Sequence, residues 1–236
     1  MAQEMDKPNE PAELYRALSD DVNPARPVLT GDVFANVPVA NTDGTFTERT
    51  VMILDHPCSL RQDGINLVDR LLTAEVRRTG AGSWRSGHFN KMFLPAPYPG
   101  ADGKAHPCAA FFDASYHVSP EQLESGTRIA CLTPIGINLM LQRRVKHFSR
   151  VTVKAFEFMD ANHGVYEEAD LVEDWCMYRE QDGVKTLEAV AECTEWLREG
   201  EPGRRRQDLL KDAQQRSTVR QQMRGHLKGL RAQRLV

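Results

Sequence analysis

Asp55-His56-Pro57-Cys58 and His106-Pro107-Cys108 carry the residue types best suited to chemistry in this chain: two imidazoles and two thiols, each pair straddling a proline. Thiolate and imidazole together suit zinc. A thiol beside an imidazole also suits nucleophilic catalysis, with Cys58 attacking and His56 as its base. The spacing argues against metal, because His and Cys flanking a proline match no zinc knuckle. No metal is favoured for the set His56, Cys58, His106 and Cys108, and no cofactor is expected. His56 and Cys58 stand as catalytic candidates because catalytic Cys–His pairs form in space rather than along the chain. The sequence holds no nucleophile elbow, phosphate-binding glycine loop, dinucleotide fingerprint or H-E-x-x-H helix.

The first corner closes a pair of predicted strands. Gly31-Asp32 opens one, with Val33, Phe34, Val37 and Val39 apolar, and Pro38 placing it at a sheet edge. Asn41-Thr42-Asp43-Gly44 is turn chemistry. Thr50 to Leu54 is a continuous apolar and β-branched run, the pattern of a strand buried on both faces. Further strands are expected over Asn66 to Arg78, whose apolar positions also fit helical spacing, and over Phe89 to Leu94, Ala109 to Val118, Arg128 to Leu132 and Val151 to Phe158. Ser119-Pro120 and Thr133-Pro134 each cap and start a helix. The second runs to about Ser149, with Ile137, Leu141, Val145 and Phe148 as an apolar stripe and Arg143 and Arg144 off it. Two acidic helices follow, Tyr166 to Gln181 and Val184 to Arg198. Their carboxylates read as a solvated face. The expected fold class is α+β: a small β-barrel or curved sheet, then helices. The divisions are a polar linker over 1–28, a β-rich domain over 29–160, an acidic helical pair over 161–200 and a basic helical tail over 201–236.

Gly-Asp, a short strand to a proline, a loop and an arginine-led apolar strand ending in a polar corner resemble the opening of the MazF/PemK-type small-barrel proteins. The stretch Gly31 to Leu60 carries the likeness. It is also similar to uncharacterised bacterial proteins whose second strand ends in a comparable corner with a cysteine. The resemblance implies an SH3-like barrel, commonly dimeric, in a family whose members cleave or bind RNA. Arg49 then corresponds to the arginine before the second strand and joins His56 and Cys58 as a catalytic candidate for an RNA-cleaving nuclease. The family's downstream Thr-bearing strand has no clear counterpart here.

The chain has 236 residues, a net charge of −3 and a 41% hydrophobic fraction. From Gly203 to Val236 ten Lys/Arg face two Asp, a net +8, leaving 20 basic against 31 acidic residues elsewhere, a net −11. Five scattered cysteines fit a reduced protein with free thiols. The acidic, proline-bearing start does not read as a secretory signal, and no run of 18 apolar residues exists to span a membrane. A cytoplasmic location is expected. In the tail Arg216, Arg220, Arg224 and Lys228 recur every four residues, beside a stripe of Val219, Met223, Leu227 and Leu230. These cations, with Arg143, Arg144, Arg204, Arg205 and Arg206, are the expected phosphate contacts, since clustered cations bind polyanions through counterion release. The leading expectation is a nucleic-acid-associated protein of toxin-like or defence-related type. The alternative is a protein-interaction module that recruits its partner through the tail or the acidic helices.

Overall fold

Gly31 takes a φ of 84°, in the left-handed region that glycine enters without steric cost. Its N–H donates to the Ile53 carbonyl at 2.8 Å, and the Ile53 N–H donates to Asp32. That step launches the first long strand. The structure is a computed structural model and describes residues 5–61, 65–80, 84, 89–95 and 106–234.

Seven strands form one antiparallel sheet: β1 (Tyr15–Leu18), β2 (Val33–Ala40), β3 (Phe46–Ile53), β4 (Leu71–Arg78), β5 (Lys91–Leu94), β6 (Cys108–Val118) and β7 (Thr127–Leu132). Their order is β1-β7-β2-β3-β4-β6-β5. The helices are α1 (Pro120–Ser125), α2 (Pro134–Ser149), α3 (Ala155–Gln181), α4 (Thr186–Arg198), α5 (Arg206–Leu209) and α6 (Arg216–Arg234). The chain is therefore α+β, as its pattern predicts. The expected barrel is corrected to an open sheet: β1 and β5 are its outermost strands, and among the described residues no ladder joins them. A barrel has no outermost strands because closure pairs them.

The expected linker over 1–28 is largely structured. Leu14 is fully buried, and β1 adds to the outer edge of β7 through Tyr15↔Leu132 and Leu18↔Ala130. The edge position expected from Pro38 applies to half of β2. The β7 ladder ends at Ala35↔Thr127, so Pro38 pairs on one side only, opposite Glu48. Its carbonyl accepts from Gln122 Nε2 of α1 at 2.5 Å. In β3, Val51, Met52, Ile53 and the following Leu54 are all fully buried, as a continuous apolar run requires.

Thr133 caps α2, its hydroxyl accepting the Gly136 N–H at 3.1 Å. Burial covers Gly136 to Arg143 without a break, while Phe148 is exposed. The expected stripe thus holds only at Ile137 and Leu141. In place of the strand expected at Val151 to Phe158, 151–154 are coil and Ala155 opens α3.

Two compact units divide the chain: 1–22 with 28–160, and 23–27 with 161–236. The second has its own core, in which Leu171, Trp175, Cys176, Ala189, Cys193, Leu197, Val219, Met223 and Leu227 are buried. Burial pushes the Cys176 thiol up to about 11 and the Cys193 thiol higher still. No described helix is long and apolar enough to cross a membrane.

A methyl group added at Gly136 would meet the Leu14 carbonyl oxygen at 2.6 Å. Backbone on both sides cannot yield easily. Gly136→Ala is expected to cost about 1–3 kcal/mol, the range for overpacking, read as a lowered denaturation midpoint; an unchanged midpoint would show that the turn ending at Leu14 shifts freely.

Candidate functional site

The corner after β3 is held by its backbone. Asp55 Oδ2 accepts the Leu72 N–H at 2.6 Å, and the Asp55 carbonyl accepts the Thr30 hydroxyl at 2.5 Å. Arg144 reaches in from α2 and donates to the Leu54 carbonyl. His56 caps a single 3-10 turn over Pro57–Ser59, its Nδ1 accepting the Cys58 N–H at 3.3 Å. That bond takes one of the two nitrogens a Cys–His pair would use. Burial first, and the Arg144 charge second, hold the His56 pKa below its ordinary value. Cys58 is exposed. The observed bonding, with His56 Nδ1 turned to the Cys58 backbone, makes the corner a capped turn.

The second corner lies elsewhere. Pro107 accepts the Thr79 N–H beyond one end of β4, whereas Leu72, at the other end, accepts the Leu54 N–H. The strand between Leu72 and Thr79 spans roughly 20 Å. His56 and Cys58 are thus separated from His106 and Cys108, and the four do not form one zinc set. Among the described residues no group of three or more His, Cys, Asp or Glu is placed to hold a metal ion.

The two α2 arginines expected on phosphates are turned inward. Arg143 is 1% exposed. It donates to the Leu139 and Asp6 carbonyls at 3.2 and 3.0 Å and lies 4.3 Å from the Trp84 ring centroid. Burial pushes its pKa down to about 10, with Asp6 opposing. Burial also lowers the half-buried Arg144, with Asp55 opposing. Neither offers a free guanidinium. Helical spacing placed both off the apolar stripe, but the helix sinks far enough to bury that side too.

The tail cations divide. Arg216 pairs with Glu167 at 3.3 Å, and Arg220 with Glu167 at 2.9 Å and Asp174 at 3.1 Å. Arg231 pairs with Asp182 at 2.7 Å, and Arg206 with Glu199 at 2.6 Å. The acidic face of α3 is therefore ion-paired rather than solvated. Arg26 adds to this, 4% exposed and bonded to Asp170 and Glu173 at 2.7 and 2.8 Å. Arg205 donates to the Gly200 carbonyl at 3.5 Å. Arg204, Arg224 and Lys228 are exposed and have no ion pair among the described residues.

A different cationic surface emerges on the sheet. Register places Lys91, Phe111 and Glu75 in one row across β5, β6 and β4, continued by Val51 on β3. Arg49 and Arg77 lie two residues along from Val51 and Glu75, and Tyr116 is opposite Thr73, so all share that face. Arg49 bonds Glu75 at 3.1 Å and Asn41 at 3.3 Å, and stands 5.0 Å from the Tyr116 centroid. The Tyr116 hydroxyl donates to the other Glu75 oxygen at 3.2 Å; burial, then Glu75, raises its pKa. Arg77 lies 4.5 Å from the Phe111 centroid and 3.9 Å from Glu75. Lys91 lies 5.1 and 5.4 Å from the Phe93 and Phe111 centroids. Three cations thus face one carboxylate among flat rings. The Arg77 side chain is 50% exposed. The arrangement supplies positive charge and stacking surface. Glu75 already accepts through both oxygens, so it is poorly placed as a general base.

Sequence reading found Arg49 here but missed Arg77, Lys91, Phe111 and Tyr116. Strand composition alone carries no signal that joins residues from four strands. No family model matches this chain, and no curated protein matches it.

An imidazole held below its ordinary value binds fewer protons folded than unfolded. The stability it confers is present above about pH 6.5 and is lost as pH falls below that value. His56→Asn retains an acceptor for the Cys58 N–H and is expected to flatten this loss, measured by urea denaturation between about pH 7.5 and 5. Identical pH slopes would refute it. In the tail, Met223→Ala is expected to cost about 2–5 kcal/mol and Arg220→Gln about 1 kcal/mol. Calorimetry returning the reverse ranking would mean that charge, rather than burial, seats α6.

Proposed function

We propose that the sheet face bearing Arg49, Arg77, Lys91, Phe111 and Tyr116 binds single-stranded nucleic acid. The supporting observation is the pairing of cation with ring across one face: Arg49 with Tyr116, Arg77 with Phe111, and Lys91 with Phe111 and Phe93. A single strand needs both kinds of group. Cations neutralise its phosphates, and ring faces accept its unstacked bases with little sequence preference. The bases of a duplex are stacked away from such a surface, so a single strand is the better fit.

The face favours binding over cleavage. Arg49 could stabilise developing charge, but its partners are Glu75 and Asn41, and the two hydrogen-bonded oxygens of Glu75 leave proton transfer without an evident base. The expected phosphate contacts move accordingly, from Arg143, Arg144 and the paired tail arginines to Arg77, Lys91 and Arg49. The strand need not meet the tail at all.

Fluorescence anisotropy with labelled oligouridylate, repeated over a range of salt, tests this. Affinity should fall as salt rises, and Arg77→Ala or Lys91→Ala should each reduce the salt slope by about one. Phe111→Ala should weaken binding by about 1–3 kcal/mol. Arg224→Glu with Lys228→Glu should leave the slope unchanged. Salt-insensitive binding, or binding lost only with the tail variant, would defeat the proposal.

A further inference from the structure

The cations of the sheet face are not equally available, and Glu75 sets the difference. Its Oε1 accepts from Arg49 Nη1 at 3.1 Å; its Oε2 accepts the Tyr116 hydroxyl at 3.2 Å and lies 3.9 Å from Arg77 Nε. Arg49 also donates to Asn41 Oδ1 at 3.3 Å. The Glu75 side chain is 15% exposed and that of Arg49 24%, against 50% for Arg77. Arg49 is therefore drawn into the face by two acceptors, while Arg77 reaches out of it. Lys91 stands over Phe93 and Phe111, with its ammonium 5.1 and 5.4 Å from their centroids.

A phosphate bound by Arg49 must first take the guanidinium from Glu75. That exchange breaks one charge-assisted bond to make another. It also leaves a largely enclosed carboxylate short of its cation and close to the incoming negative charge. Removing one partner of an enclosed ion pair is the costly direction. Arg77 and Lys91 carry no comparable cost, since neither is hydrogen-bonded to Glu75 among the described residues. The carboxylate belongs to the chain and is already in place, so it competes without the entropic cost that an incoming ligand meets.

We propose that Glu75 is a built-in competitor for the ligand: it withholds Arg49 from nucleic acid, so that Arg77 and Lys91 carry the phosphate contacts and Arg49 joins them only when the Glu75 charge is removed. The inference rests on the reading that this face binds a single strand. It makes Glu75 the residue that limits affinity, and Arg49 the withheld member of the three expected contacts.

Anisotropy with labelled oligouridylate over a range of salt is measured for the wild type, Glu75→Gln, Arg49→Ala and the double variant. Glu75→Gln keeps an acceptor and removes the charge. It is expected to bind about tenfold tighter at low salt and to steepen the salt slope by about one, because a further phosphate is neutralised. Arg49→Ala should leave the wild-type slope unchanged, yet abolish the gain in the Glu75→Gln background. Glu48→Gln removes the same charge from the exposed neighbouring residue of β3, which alternation places on the opposite face, and should change affinity by less than about threefold. Three results would overturn the inference: no gain in a Glu75→Gln protein of unchanged Tm, a gain that survives Arg49→Ala, or an equal gain in Glu48→Gln. A wild-type slope lowered by about one in Arg49→Ala would also overturn it, without recourse to any Glu75 variant. Oligouridylate bound by neither the wild type nor Glu75→Gln would remove the reading of the face itself.

Discussion

Arg220 lies between Glu167 and Asp174, 2.9 and 3.1 Å away, while Val219 and Met223 on the same helix are buried. Apolar contact seats α6 and charge sets its orientation. Half-exposed ion pairs contribute little each, whereas a buried apolar side chain contributes about 1.5–3 kcal/mol. The pairs nevertheless choose the register, because a slide along α3 would face arginine with the wrong side chains. The +8 tail and the −11 remainder of the chain are thus, in part, two halves of one internal contact.

The same rule runs through the sheet unit. Arg128 meets Asp32, 9% and 2% exposed at their side chains, at 3.2 Å. Arg143 and Arg144 donate to backbone carbonyls instead. Guanidinium groups there tie loops and helices to strand ends, using several donors on one rigid fork. Gly31-Asp32 serves this purpose: Asp32 accepts from Leu29 and Arg128 and helps shape the turn into β2. The cluster around Glu75 departs from the rule. There the cations outnumber the carboxylates and rest on rings, so charge remains available to a ligand.

The path from β3 to the first corner, the capped starts of α1 and α2, and the apolar stripe of α6 were legible in the sequence. Each depends on neighbours a few residues away: Thr133 on Gly136, Val219 on Met223, Val51 on Met52. The site was not. Phe111 and Tyr116 differ by five residues, which alternation assigns to opposite faces. The irregularity between them sets Glu75 opposite Phe111 and Thr73 opposite Tyr116, and so brings both rings to one side. No local pattern announces a bulge of that kind.

By itself the sequence determined the α+β class, most strands and helices, and the unequal distribution of charge, because backbone propensity, capping and periodicity act over short separations. Only the tertiary structure decided where the charge is placed. Whether an arginine meets its own carboxylate, a carbonyl or open solvent depends on residues far apart in the chain, such as Glu167 and Arg220 or Leu54 and Arg144. Coulomb and hydrogen-bond energies depend on distance in space, and the fold alone sets that distance.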